Sequence, residues 1–290
     1  MGETTAMTDF THITLATTDG VAHLVLNRPD KLNALGFGPG SSRDEIARAI
    51  AVADADPAVG AIPISATGRA FCAGGDLGGI GAAGPETPLS NHLLNEEILR
   101  FQAAVRGAHK PVLAAVNGLC LGTALGFIAQ CDIVIAGDDA RFGLIEGRIG
   151  HPGATDLVPV IGQAWTKFLI MTGELIEASR AAAIGLVLTV EPADELLARA
   201  TDLAWRIARL PREGMLLNKI AINNVAEVTG RAAGRLVGRA HDAITKSMTS
   251  AARAPDGRFF EDILKSEGVD GLKRARDTQY RGSWPQGTRK

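Results

Sequence analysis

Two glycine-bearing stretches and one glutamate carry the chemistry that can be read from this sequence. The first stretch is Ala70-Phe71-Cys72-Ala73-Gly74-Gly75-Asp76-Leu77, directly after a predicted strand. The second is Asn117-Gly118-Leu119-Cys120-Leu121-Gly122-Thr123-Ala124, where a strand gives way to a helix. Small residues at such junctions let a ligand approach main-chain N–H groups closely. The unsatisfied N–H groups and the dipole of a helix start suit a developing negative oxygen. Two N–H donors from separate loops are what the oxyanion of a polarised carbonyl needs. The same glycines would also serve tight turns, and the pattern alone does not choose between the two readings. The glutamate is Glu146, in Leu144-Ile145-Glu146-Gly147. A carboxylate in an apolar stretch has a raised pKa, which suits acid/base work near neutrality. A surface ion pair with the nearby Arg148 is the alternative.

Other chemistries find no support. The sequence has no G-x-G-x-x-G dinucleotide fingerprint, no G-x-x-x-x-G-K-[ST] phosphate loop and no G-x-S-x-G elbow. Cys72, Cys120 and Cys131 form no C-x-x-C pair and no His/Cys ligand spacing, so reduced buried thiols and no metal are expected. His12, His23, His92, His109 and His241 fall in strand, helix or loop patterns without partners; only His151 stands near Glu146. A formal net charge of −2 gives no electrostatic reason to expect nucleic acid or an acidic membrane as partner. No apolar run reaches the roughly 18 residues of a membrane-spanning helix. Residues 1–10 carry acids and no apolar core, which reads as a disordered lead-in and points to a cytoplasmic protein.

The elements that must position these groups alternate. His12 to Leu26 alternates around Asp19-Gly20, a pair that predicts a β-hairpin, and Arg28-Pro29 ends its second strand. Ser42 to Ala53 carries Ile46, Ala49, Ile50 and Ala53 on one helical face. Ala61 to Ala66 predicts a buried strand, Gly74 to Ser90 a loop and His92 to Ala108 a helix. Strands over Val112 to Val116 and Asp132 to Ala136 flank a helix over Gly122 to Gln130, an α/β pattern. Helices then follow at Leu157 to Met171, Glu177 to Ile184 and Ala193 to Leu210, with a brief strand at Leu186 to Val190. A composition shift near Pro211 separates a core at 11–210 from a helical region at 211–290. The latter should hold helices over Glu213 to Val228 and Ala232 to Thr249, and two short ones around Phe259 and Gly271.

Seven blocks in order, from about Ile13 to Leu197, resemble the signature of the enoyl-CoA hydratase/isomerase (crotonase) superfamily. They are Arg28-Pro29 with Asn33-Ala34-Leu35, Ala70 to Leu77, Lys110 to Gly118, Cys131 to Ala136, Ala140 to Glu146, Thr172 to Ile176 and Ala183 to Val187. The resemblance implies a crotonase-like spiral of ββα turns with a C-terminal helical trimerisation region, as a homotrimer or hexamer. It implies an acyl-CoA substrate, with coenzyme A part of the substrate and no separate cofactor. The first oxyanion donor would be the N–H of Ala73, and the second that of Thr123, where the family usually has glycine. Ala73, Gly74, Gly75 and Asp76, with Gly122 and Thr123, would line the substrate. The loop from Arg28 to Leu35 would face the coenzyme A nucleotide. Asp76 reads as an acceptor that steadies its own turn. Lys219, Lys246, Lys265, Lys273 and Arg276 are candidates for the coenzyme A phosphates, against the default of a solvated helix face.

Two departures narrow the chemistry. Hydratases of this superfamily set two glutamates across the substrate double bond; Glu146 matches the later one, but the earlier falls on Gly126, which cannot transfer a proton. A single base can shuttle a proton between two carbons on one face, so Gly126 favours enoyl-CoA isomerisation over hydration. The second departure is the shortened stretch His151-Pro152-Gly153-Ala154-Thr155-Asp156. It brings His151 and Asp156 near Glu146 as accessory candidates, although a loop histidine and a helix-starting aspartate are the plainer reading. Hydrolysis of a β-diketone or acyl-CoA, helped by His151 or Asp156, is the alternative activity. A non-catalytic member that binds coenzyme A or RNA is a further one, although the chain lacks a basic stripe for RNA.

Overall fold

The computed structural model describes residues 10–77, 87–151, 153, 155–248, 251–280 and 284. The lead-in at 1–9 and most of the loop expected over Gly74 to Ser90 fall outside these, as do Pro152, Ala154 and the side chain of Lys246.

The hairpin forms as expected. β1 (Ile13–Thr18) pairs antiparallel with β2 (Val21–Leu26). Asp19 and Gly20 both take positive φ, the turn whose twist matches a two-residue hairpin. From β2 the sheet continues in parallel through β3 (Ile62–Ala66), β5 (Val112–Val116), β7 (Ile133–Gly137) and β10 (Thr189–Glu191). Parallel strands are covered on both faces, and every residue of β5 is buried. One cover is α1 (Ser42–Ala55), whose N-cap Ser41 accepts from the Asp44 N–H and whose Ile46, Ala49, Ile50 and Ala53 are buried. The other is α6 (Leu196–Ile207), which packs Ala204 on Ala61 and Leu113, and Leu196 and Ala200 on Ala115 and Ile135. α2 (Pro88–Gly107) starts from a capping box of Thr87 and Ser90 and brings Phe101 and Val105 into the same core. Truncating a core side chain such as Ile46 to alanine would cost about 2–5 kcal/mol.

A second sheet escaped the sequence reading. β4 (Ala70–Cys72), β6 (Leu119–Leu121), β8 (Arg141–Gly143) and β9 (Ile176–Glu177) form it in that order. Each of β3, β5 and β7 is followed within a few residues by its short partner β4, β6 or β8 in this sheet. The chain therefore winds as a spiral of strand pairs, with α2 and α3 (Thr123–Ile128) between turns. Strands of two or three residues are too short to show a hydrophobic period.

Past this core the chain is helical: α4 (Val158–Thr172), α5 (Ala178–Ala183), α7 (Arg212–Ala226), α8 (Ala232–Met248) and α9 (Phe260–Asp277). The two short helices expected around Phe259 and Gly271 are one element, α9, interrupted at Gly268 (φ 67°). Its Phe260, Ile263 and Leu272 pack with Leu77 and Ile149, so α9 covers the turn that follows β8. No residue of α7 is buried, and Leu217, Ile222 and Val225 stand exposed on it. No helix among the described residues is long and apolar enough to cross a membrane.

Candidate active site

The short strands of the second sheet end where the chemistry begins. β4 delivers residues 73–76, which are stapled to the loop after β2. The side-chain amide of Asn33, itself at φ 54°, donates to the carbonyls of Thr67 (2.9 Å) and Ala70 (2.8 Å). The Ala73 N–H donates to the Leu32 carbonyl at 2.9 Å. That corrects one expectation: the Ala73 amide is consumed within the fold and is not available to an oxyanion. Two residues on, Leu35 bridges Gly75 in parallel, with Leu35 N–H donating to Gly74 O (2.8 Å) and Asp76 N–H to Leu35 O (2.9 Å). In a parallel bridge the central residue turns its own N–H to the opposite side. The Gly75 N–H accordingly faces away from Leu35 and meets no acceptor among the described residues. Asp76, expected as an acceptor within its own turn, receives Arg28 Nη2 at 3.0 Å, tying the loop after β2 to the site loop.

β6 delivers the second loop. Gly122 (φ 58°, ψ −128°) is the N-cap of α3, and its N–H donates to Gly143 O at 2.8 Å. The next amide, Thr123 N–H, opens the helix and has no acceptor among the described residues. The two loops meet at Gly74 (φ 98°): a β-carbon there would lie 2.9 Å from Leu121 O and 3.6 Å from Thr123 N. Only glycine permits that approach, which sets the open N–H groups of Gly75 and Thr123 on adjoining loops. The Thr123 hydroxyl accepts from Arg43 Nη2 at 3.4 Å. Arg43 is buried over the Phe37 ring (4.1 Å to its centroid), and burial lowers its pKa to about 10.

Glu146 lies on the single-turn helix Ile145–Ile149 that follows β8. Its Oε2 is buried without a partner among the described residues. A β-carbon on Gly122 would be 3.1 Å from that oxygen, and one on Gly153 would be 3.6 Å from Oε1. Burial pushes its pKa up to about 7, opposed by its own backbone N–H and the charge of Arg276. Arg148 does not form the ion pair that the sequence left open. It binds Glu174 (3.1 Å), Asp277 (3.0 Å) and the Thr172 carbonyl (3.0 Å), and lies 3.9 Å from the Tyr280 ring centroid.

The accessory candidates separate. His151 touches Glu146 through the main chain, its N–H donating to Glu146 O at 3.0 Å. Asp156 is buried, accepts from Gln102 Nε2 at 2.9 Å, and faces Arg239 Nη2 at 3.6 Å. Sequence reasoning missed Gln102, although a glutamine amid Phe101 and Val105 on the buried side of α2 was a readable signal. Arg43 and Arg239 carried no such signal, because α1 and α8 are remote from the site loops in sequence. Lys219 is paired with Asp132 (2.7 Å), Lys265 with Glu261 (2.5 Å), Lys273 with Asp270 (3.4 Å) and Arg276 with Asp277 (2.5 Å). No group of three or more metal-ligating side chains occurs among the described residues.

A sequence model described as enoyl-CoA hydratase/isomerase matches residues 16–251. The chain belongs to the enoyl-CoA hydratase/isomerase family. Similar to it at 35% identity over 213 residues is a Dictyostelium discoideum protein named "Probable enoyl-CoA hydratase, mitochondrial", with 72% of this chain and 74% of the other covered. An enoyl-CoA hydratase/isomerase from Xanthobacter autotrophicus Py2 has a similar crystal structure (TM-score 0.86, 29% identity), covering 94% of this chain and 100% of that one. An enoyl-CoA hydratase from Mycobacterium smegmatis superposes at TM-score 0.81 with 28% identity over 93% of this chain and 94% of the other. The mixed architecture described above is the crotonase fold, and the family is one of enzymes.

Proposed function

We propose that the protein transforms an unsaturated acyl-CoA thioester, with Glu146 as the proton-transferring group. The thioester oxygen would accept from the N–H groups of Gly75 and Thr123 and be held as an enolate oxygen. Glu146 then moves a proton at the carbon next to the thioester. In isomerisation it takes a proton from one carbon and returns it to another of the same chain. In hydration water adds its oxygen to the β-carbon while the α-carbon gains a proton. Both are redox-neutral and call for no cofactor beyond the coenzyme A of the substrate. The observation that carries this reading is the buried Oε2 of Glu146, without a partner among the described residues, beside Gly122 at the start of the helix whose first amide has no acceptor among them. A pKa near 7 lets this group both give and take a proton at neutral pH.

Purified protein incubated with 2-enoyl-, 3-enoyl- and 3-ketoacyl-CoAs, with products followed by mass, tests it. A water adduct means hydration, a moved double bond at unchanged mass means isomerisation, and chain cleavage means the hydrolytic alternative. Glu146→Gln should abolish turnover. Full activity in that variant would remove Glu146 from the mechanism.

A further inference from the structure

The space left by Gly126 is filled. A β-carbon on Gly126 would meet Gln102 Nε2 at 3.3 Å and Asp156 Oδ2 at 3.8 Å. Gly122 and Gly126 are four residues apart in and beside α3, hence on one side of it and separated by about 6 Å along its axis. Glu146 lies against the first and Asp156 against the second. Both carboxylates keep one oxygen buried without a partner among the described residues, Oε2 of Glu146 and Oδ1 of Asp156. The other oxygen of Asp156 is fixed. It accepts from Gln102 Nε2 at 2.9 Å and faces Arg239 Nη2 at 3.6 Å, while that guanidinium donates to Gln102 Oε1 at 2.5 Å. Arg239 also approaches Asp242, at 3.7 Å.

A carboxylate kept only for an ion pair would have both oxygens satisfied, because an unmade hydrogen bond on a buried polar atom is costly. Here a side-chain amide and a cation orient Oδ2, which stands 3.8 Å from where a β-carbon on Gly126 would lie, and leave Oδ1 open. The geometry points to Asp156 as a second carboxylate of the acyl site, supplied from another part of the chain, with Gln102 and Arg239 positioning it. The inference rests on the acyl-CoA reading above and turns it toward hydration. In the step proposed, a water O–H bond breaks, its proton passes to Asp156, and its oxygen bonds the β-carbon. The electron pair of the double bond moves to the enolate held by the two loop amides. The α-carbon then takes a proton from Glu146. Asp156 releases its proton to solvent and Glu146 regains one, so the net change is addition of one water.

Asp156→Asn keeps the shape and removes the base. Hydration of a 2-enoyl-CoA by the folded variant should fall about 10²–10⁴-fold. Exchange of solvent deuterium into the α-carbon of a saturated acyl-CoA, which needs only Glu146 and the loop amides, should persist. Hydration within threefold of the wild type would overturn the assignment. Should Asp156→Asn fail to fold, Gln102→Leu decides. It leaves the carboxylate in place but loosens it: Tm should fall because Asp156 and Arg239 each lose a partner, and kcat of the folded variant should fall at least tenfold with KM nearly unchanged. A kcat within threefold of the wild type would overturn the assignment there too. Failure of the underlying acyl-CoA reading looks different: the wild type would then show neither hydration nor α-carbon exchange.

Discussion

Gly122 and Glu146 meet with no room for a side chain between them, since a β-carbon on Gly122 would stand 3.1 Å from Glu146 Oε2. The contact joins two chain segments that share no local sequence relationship. β6 ends one residue before Gly122 and β8 leads into Glu146, and the two strands are neighbours in the second sheet, with Leu119 opposite Arg141. The Gly122 N–H donates to Gly143 O at 2.8 Å, extending that ladder to the edge of the site. A main-chain ladder, not side-chain packing, therefore fixes how far the acid stands from the helix start.

Gly122→Ala tests this contact. At φ 58° a non-glycine residue is strained by about 1–2 kcal/mol, and the added methyl would push the carboxyl from its place. The variant should lose that much stability in denaturant unfolding, and kcat should drop at least tenfold. Unaltered kcat with the expected stability loss would mean that Glu146 does not need this position to react.

Glu146→Gln should also change stability with a definite dependence on pH. The folded-state pKa is raised from 4.5 to about 7, so between those values the folded protein binds a proton that the unfolded chain does not. Wild-type stability from this group is thus full below about pH 4.5 and declines as pH rises through 7. Glutamine cannot ionise and avoids the decline. The variant should match the wild type near pH 4 and exceed it by on the order of 1–3 kcal/mol at pH 8. Parallel unfolding curves at the two pH values would check this; an equal difference at both would show that burial does not raise the Glu146 pKa.

The sequence disclosed the long elements and singled out Glu146, which the structure buries, and failed where strands are short and contacts remote. Ser42 to Ala53 read correctly because its length displays a helical period, and Val112 to Val116 because a short apolar run after Lys110-Pro111 marks a buried strand. β4, β6 and β8 have three residues each and no period, yet they lead into Gly75, Thr123 and Glu146. The choice of Ala73 as a donor failed for a related reason. Which amide of a glycine loop stays open depends on the segment it pairs with, here Leu32 to Leu35, some forty residues away in the chain. The fate of the space at Gly126 was equally hidden, since Gln102 and Arg239 come from α2 and α8.

Gly75→Pro removes the amide assigned to the enolate without touching the bridge bonds, which belong to Leu35, Gly74 and Asp76. Loss of one oxyanion donor lowers the rate about 10²–10³-fold. The variant should show that fall in kcat, with coenzyme A binding by calorimetry and Tm close to the wild type. If kcat holds while the protein stays folded, the first donor is another group of the loop.

Arg148 ties α9 to the turn bearing Glu146, and its two carboxylate partners should respond differently to mutation. Glu174 is buried, with its side chain 10% exposed, whereas the Asp277 side chain is 41% exposed. Arg148→Met strands the Glu174 charge in the interior, which typically costs about 3–5 kcal/mol. Asp277→Asn removes an exposed partner and should cost less than about 1 kcal/mol at neutral pH. For Asp277, burial works to raise its pKa, but the hydrogen bond and charge of Arg276 and those of Arg148 bring it below the usual carboxylate value. Its contribution is therefore present above the ordinary carboxylate pKa and lost as pH falls through the lowered one. Asp277→Asn should consequently be less stable than the wild type at pH 7 and indistinguishable from it in strong acid. Because α9 packs Phe260 and Leu272 in one cluster with Ile149, three residues past Glu146, Arg148→Met should also reduce kcat. Urea unfolding of both variants with steady-state kinetics checks the pair. Equal stability losses would show that α9 is not held through Arg148 in the way its contacts indicate.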